Sequence, residues 1–324
     1  MNKENFCLTY FISRPFFFGI IYSLLFSLNG SDSLIAAFIG TFLGIIIIAL
    51  ISKMNFNENK FRLIQIITYL FFLVIAFSSI ETYASSYLLT KTPKIIIIIP
   101  ALLLVCYVAF KKMNTLKKAS LIFFIMSIAS IIFIIFLLSN YLNVQNILPF
   151  FTHKPMNIIK GSIIFAIMSA FPNILLKEEN ISLRKHIIFY LITSLINIII
   201  GFLALTILTP DVAKIYSYPE YMVLKRIKIL GFIENVENLS VLIWYFDYFF
   251  LITLTLKRIY NIIKKKAVFL GIAILTAIFS TFFIANDFKI TIWLYRYCPW
   301  VMIVLFLSMC TSVFIKSKST VKYK

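Results

Sequence analysis

Residues 118–139 read KASLIFFIMSIASIIFIIFLLS, 22 residues with a single charge, Lys118, at the first position. At about 1.5 Å per helical residue such a stretch spans the roughly 30 Å hydrocarbon core of a bilayer. In lipid the backbone N–H and C=O groups must bond within the segment, so it reads as a helix despite its many Ile residues. It is far too long for a barrel strand.

Outward from this segment the pattern repeats. Ten apolar segments lie at about 8–28, 33–52, 63–89, 94–110, 118–139, 157–176, 186–208, 239–260, 267–285 and 291–315. The composition agrees: 61% of the 324 residues are apolar and 13% are charged, against about 45–50% and 25% in soluble domains. One globular core cannot absorb that excess, since cores stop growing at about 250–300 residues. A soluble enzyme, a secreted disulfide scaffold and a disordered tail are excluded. The expected fold class is an all-α integral membrane protein with ten transmembrane helices.

The net charge of +19 would suggest nucleic acid in a soluble chain, but its distribution says otherwise. With the N-terminus in the cytoplasm, 20 of the basic residues fall on the inner side and 9 on the outer, leaving Arg14 and Arg296 within spans. That bias orients the protein and puts both termini in the cytoplasm; no nucleic acid is expected, only membrane lipid. The first 19 residues lack a small-residue cleavage site, so the first segment is expected to be retained. The longest loop, about 209–238, leaves no room for a catalytic domain. Ten spans with both ends inside divide into two halves of five, about 8–139 and 157–315, of opposite orientation. That is the five-plus-five inverted repeat of many secondary transporters, within a single membrane domain over 1–324.

Ionisable groups within spans are costly and are the first candidates for function. Four stand out: Arg14, Glu81, Asp247 and Arg296. Glu81 and Asp247 each lie eight residues from the outer end of their segments, roughly 12 Å deep. Arg296 enters from the same side and is long enough to reach either carboxylate. The functional reading is an outward-facing polar site for a cationic group, a proton or a cation; the structural one is a buried Arg–carboxylate pair holding helices together. Arg14 is expected to snorkel to the inner interface.

Segments one and six carry helix breakers: Pro15 and Gly19 in the first; Gly161, Ser162, Ser169 and Pro172 in the second. Breaks in corresponding segments of two halves point to a transporter binding site. The ligand-binding candidates are therefore the backbone at Gly19 and at Phe165, Ala166 and Ser169, with Glu81 and Asp247 to the side. In the 209–238 loop, Ser217-Tyr-Pro-Glu220 has capping-box spacing. The amphipathic run after it, ending near Gly231, reads as a helix on the outer surface or as a lid.

Other signals are bland. His153 and His186 have no metal-ligand company, and Cys7, Cys106, Cys298 and Cys310 have no CxxC spacing. They read as structural residues and buried hydrophobes, with no metal and no cofactor. Trp293, Tyr295, Tyr297 and Trp300 read as an interfacial belt. No Walker A, GxSxG, HExxH or GxGxxG pattern occurs, so an enzyme is not expected.

Several stretches resemble one known family. Tyr218-Pro219, Arg226-Ile227, Phe232-Ile233-Glu234, Glu237 and Trp244 are similar to the signature loop of the spore germination receptor B-subunit family, roughly Y-P-x-x-E…R-x-I…F-x-E-R-x-E…W. Leu89-Thr-Lys-Thr92-Pro93 and Asn146-Ile-Leu-Pro149-Phe150 with Lys160-Gly161 resemble two further stretches of it. The matches keep the family's order from about residue 60 to 260. Asn235 stands where the pattern has Arg, and the first span and its outer turn are shorter. The resemblance implies a member of the amino acid–polyamine–organocation superfamily. It implies a spore inner-membrane subunit that binds a nutrient germinant, usually an amino acid, and assembles with A-type and lipoprotein C-type partners. Two alternatives stay open: a proton- or cation-coupled amino-acid permease, and a scaffold subunit whose site has decayed.

Overall fold

The computed structural model describes residues 3–17, 20–54, 59–179, 181–225, 237–286 and 288–321. Among these it is predominantly helical, with no strand. The helices are α1 (Lys3–Ser13), α2 (Ile20–Asn29), α3 (Ser33–Lys53), α4 (Asn59–Tyr83), α5 (Lys94–Ala109), α6 (Met113–Leu138), α7 (Pro155–Ala170), α8 (Leu183–Leu208), the short α9 (Pro210–Ala213) and α10 (Pro219–Leu224), α11 (Glu237–Ile263), α12 (Lys266–Phe279) and α13 (Phe288–Val321).

Seven helical stretches among the described residues are long and apolar enough to cross a membrane: Ile21–Lys53, Phe61–Leu88, Met113–Tyr141, Pro155–Glu179, Leu183–Leu208, Lys266–Ala285 and Lys289–Thr311. Two expected segments differ for visible reasons: the first is interrupted after Ser13, and the fourth is the shorter apolar helix Lys94–Ala109. The eighth is covered by the long helix α11. Large apolar side chains on the outside of the bundle, such as Ile125, Ile132 and Phe136 of α6, are exposed, as a surface solvated by acyl chains requires.

Both breaker-bearing segments break. Pro15 has no N–H to donate into the α1 ladder. The backbone tightens into a 3₁₀ turn at Pro15–Phe17, with Phe17 N donating to Arg14 O at 2.9 Å. In the sixth segment Pro172 likewise removes a donor, and α7 passes into a 3₁₀ stretch at Phe171–Glu179. Two further irregularities occur: α4 ends in a π-helical turn, Ala84–Leu88, and α12 in another, Ser280–Ala285, which packs against α4.

Close helix approach rests on glycine in α3. A Cβ on Gly40 would lie 2.7 Å from Ser162 O and 2.8 Å from Phe165 Cβ, and one on Gly44 would overlap the Tyr190 hydroxyl. These two positions let α3 lie along α7 and α8.

One end of the bundle is closed by ions. Arg258 of α11 bonds Glu178 and, at 2.7 Å, Glu179; Lys117 of α6 bonds Glu179 at 2.6 Å. Lys177 donates to Ile51 O at 2.9 Å and Lys257 to Ala109 O at 3.2 Å, supplying cations to the carbonyl ends of α3 and α5.

Candidate functional site

The two breaks meet. Asn173, directly after Pro172, donates from Nδ2 to Ser13 Oγ at 2.8 Å and lies 3.1 Å from Ser169 O and Ala170 O, carbonyls left at the end of α7. Its Oδ1 lies 3.2 Å from His186 Nε2. Asn197 of α8 reaches Ser13 O at 3.4 Å and accepts on its own carbonyl from Tyr22 Oη at 2.7 Å. Ser169 donates to Phe165 O at 2.7 Å and shares a hydrogen bond of 2.8 Å with Tyr190 Oη. Phe165 packs against Phe17 with ring centroids 4.6 Å apart and the rings tilted by 48°. Phe165, Ala166 and Ser169 are thus gathered, buried, beside the end of the first-segment break. Gly19 lies outside the described residues.

Arg14 sits at the break and does not snorkel. Its side chain is fully buried, its guanidinium 3.5 Å from Asp247 Oδ2 and 4.3 Å from the centre of the Tyr10 ring. The reason is positional: the kink after Ser13 turns residue 14 across the bundle toward α11. Neither carboxylate oxygen of Asp247 has a hydrogen-bond donor among the described residues, so the Arg14 charge is its compensation. The expected third partner is elsewhere, for Arg296 is exposed. Tyr295 also leaves the expected belt. It is buried and its hydroxyl bonds Ser79, while Trp293, Tyr297 and Trp300 stay outside.

Glu81 makes its polar contacts at a different seam. Oε1 accepts from Thr281 Oγ1 at 2.9 Å and lies 3.5 Å from Ser280 Oγ, both on the π-helical end of α12.

A short helix forms a roof on α8 and α11. The described part of the expected surface helix, α10, is buried at Pro219, Tyr221, Val223 and Leu224 and so packs on the bundle. Tyr218 and Tyr221 pack on Tyr83, and Trp244 lies 4.4 Å from the Tyr83 ring. Residues 226–236, including the expected Gly231 end and the signature residues Arg226 to Asn235, lie outside the described residues. Nearby, Asp32 accepts from the backbone N–H of Phe151 and, at 3.0 Å, of His153, which ties the α2–α3 turn to the 150–153 loop. In the same loop region, the hydrogen bond from Lys214 holds the Asp211 carboxyl below its ordinary range.

Ser13, Asn173, Asn197 and Tyr190 carry neither a charge nor a helix-breaking signal in the sequence, and His186, expected to be structural, is here a partner of Asn173. The available signal was Asn173 beside Pro172, an amide placed where a ladder must open.

No group of three or more His, Cys, Asp or Glu residues among those described could hold a metal ion. Chemically the arrangement offers a buried cation, a buried anion and interrupted backbone at one place. Against known proteins, the model of a family described as Spore_permease, spore germination protein, matches residues 34–289. The broken first segment precedes that range. No curated protein matches the chain.

Proposed function

The chain belongs to the spore germination protein family, a permease-type family of membrane proteins rather than of enzymes, and we propose that it is a membrane subunit of a spore nutrient germinant receptor. In this reading it binds a small zwitterionic solute, an amino acid, between the broken first and sixth segments. One observation carries it: Asn173 bonds Ser13 across the two breaks, beside the buried Arg14–Asp247 pair. Arg14 would take the carboxylate of the solute and Asp247 its ammonium, so that the solute replaces each ion's partner with one of its own. Backbone near Gly19 and from Phe165 through Ala166 to Ser169 would line the site, with Glu81 to one side.

Ten membrane crossings, two five-helix halves of opposite orientation and cytoplasmic termini complete the proposed architecture. The breaks at corresponding places in segments one and six support the repeat. The ion-bridged end with Arg258, Glu179 and Lys117 would be the inner one and the α10 roof the outer. Occupation would shift the population between roofed and open forms and pass the change to A-type and lipoprotein C-type subunits. The experiment is labelled amino-acid uptake and binding with this chain alone in proteoliposomes. Saturable binding without accumulation supports the sensor. Accumulation without partners supports the second reading, an ion-coupled permease, which the family's permease description favours. A scaffold with a decayed site would show neither.

A further inference from the structure

Glu81 is fully buried, and only one of its carboxylate oxygens is bonded: Oε2 has no hydrogen-bond partner among the described residues. A buried carboxylate with one bare oxygen is costly unless its charge is compensated or removed. The bonded side is unusual as well. Thr281 Oγ1 lies 2.9 Å from Glu81 Oε1 and also 2.9 Å from Ala277 O. A hydroxyl has one proton to donate and can accept on its lone pairs. With Glu81 ionised, Thr281 donates to the carboxylate. With Glu81 protonated, the acid can donate to Thr281, which turns its proton to the Ala277 carbonyl. Both protonation states therefore find a complete partner at this oxygen, by rotation of one hydroxyl.

The same threonine lines a cavity of about 540 Å³, whose other walls include Ser85, Thr90, Thr92, Lys94 and Asn286. Those are hydroxyls, an amide and an ammonium, enough polar partners for water in a space of this size. Residues of both π-helical ends, Ser85 of α4's and Thr281 of α12's, line the cavity, and π-turns recur at functional sites.

We propose that Glu81 is a proton-exchange site, reached from water through this cavity and relayed by Thr281. A proton from water in the cavity binds the carboxylate, and on release it returns to that water. A metal cation fits less well, because the Lys94 ammonium already faces the site and donates to Ala285 O at the end of the α12 π-turn. The charged and titratable groups that act on Glu81 are Lys94 on α5 and Tyr295 on α13, while Asp247 on α11 is occupied with Arg14. Proton binding would leave the Lys94 charge uncompensated next to the α12 π-turn and so favour its rearrangement. The proposal does not rest on the amino-acid reading.

The test is infrared titration of the full chain in liposomes, followed at the C=O stretch of a buried carboxylic acid, with no amino acid present. The band should grow as pH falls and be absent from Glu81→Gln. In Lys94→Gln, which removes the neighbouring cation, its midpoint should move to higher pH by about one unit or more. A band that persists in Glu81→Gln, no pH-dependent band in the wild type, or an unmoved midpoint in Lys94→Gln would each overturn the assignment. Failure of amino-acid binding would leave it standing.

Discussion

The guanidinium of Arg14 and the carboxylate of Asp247 face each other at 3.5 Å with neither side chain exposed. They come from the break in the first segment and from the middle of α11, so they join elements far apart in the chain. A buried pair of this kind gains little over an apolar pair of the same shape, but removing one partner strands a charge. Asp247→Asn should therefore lower thermal stability by about 3–5 kcal/mol, whereas Arg14→Met with Asp247→Leu should be near neutral or more stable. Thermal unfolding of the detergent-solubilised chain reads both. Equal losses for the single and double variants would mean that the pair, as a pair, matters to packing.

Asn173 ties the breaks to each other. Asn173→Leu removes its bonds to Ser13 and to the Ser169 and Ala170 carbonyls while keeping the volume. A loss of about 1–3 kcal/mol is expected, with amino-acid binding reduced beyond what the stability loss explains. Unchanged binding in a correctly folded variant would show that the junction does not shape the site.

At the ion-bridged end, Arg258 and Glu179 should be energetically coupled. A double-mutant cycle with Arg258→Gln and Glu179→Gln should give an interaction energy of about 0.5–3 kcal/mol. Lys117→Gln is expected to reduce it, because Lys117 shares Glu179 at 2.6 Å. Additive effects would mean that the bridge closes nothing.

Gly44→Ala and Gly271→Ala make a matched comparison. A Cβ at Gly44 collides with Tyr190, while one at Gly271 meets nothing within 4 Å. The first should cost about 1–3 kcal/mol. The second should be neutral or stabilise by about 0.5–1 kcal/mol through helix propensity. Comparable melting temperatures for the two would contradict the close α3–α8 approach.

The membrane class was legible in the sequence because burial in lipid is a composition signal, as the 118–139 stretch illustrates. The breaks were legible too, since Pro15 and Pro172 act through local covalent geometry. Partner choice was not. Depth arithmetic put Arg296 beside the carboxylates and Arg14 at an interface, but azimuth around a helix and the direction of a kink decide contacts. Those depend on packing that no local pattern encodes. Tyr295 shows the same limit: one face of α13 is outside with Trp293 and the next is buried on Ser79. The amides Asn173 and Asn197 went unmarked because uncharged polar residues are common in membrane helices and become informative only when the carbonyls they serve are seen.

Equilibrium binding of labelled amino acids to the purified full chain, set against the folded Arg14→Met/Asp247→Leu double variant, tests the central claim most directly. Saturable binding by the wild type, competed by free amino acids but not by their esters or by deaminated acids, and absent from the folded double variant, is the expected result. Equal binding by both proteins, or competition by ligands lacking either charge, would show that the Arg14–Asp247 pair does not recognise the solute.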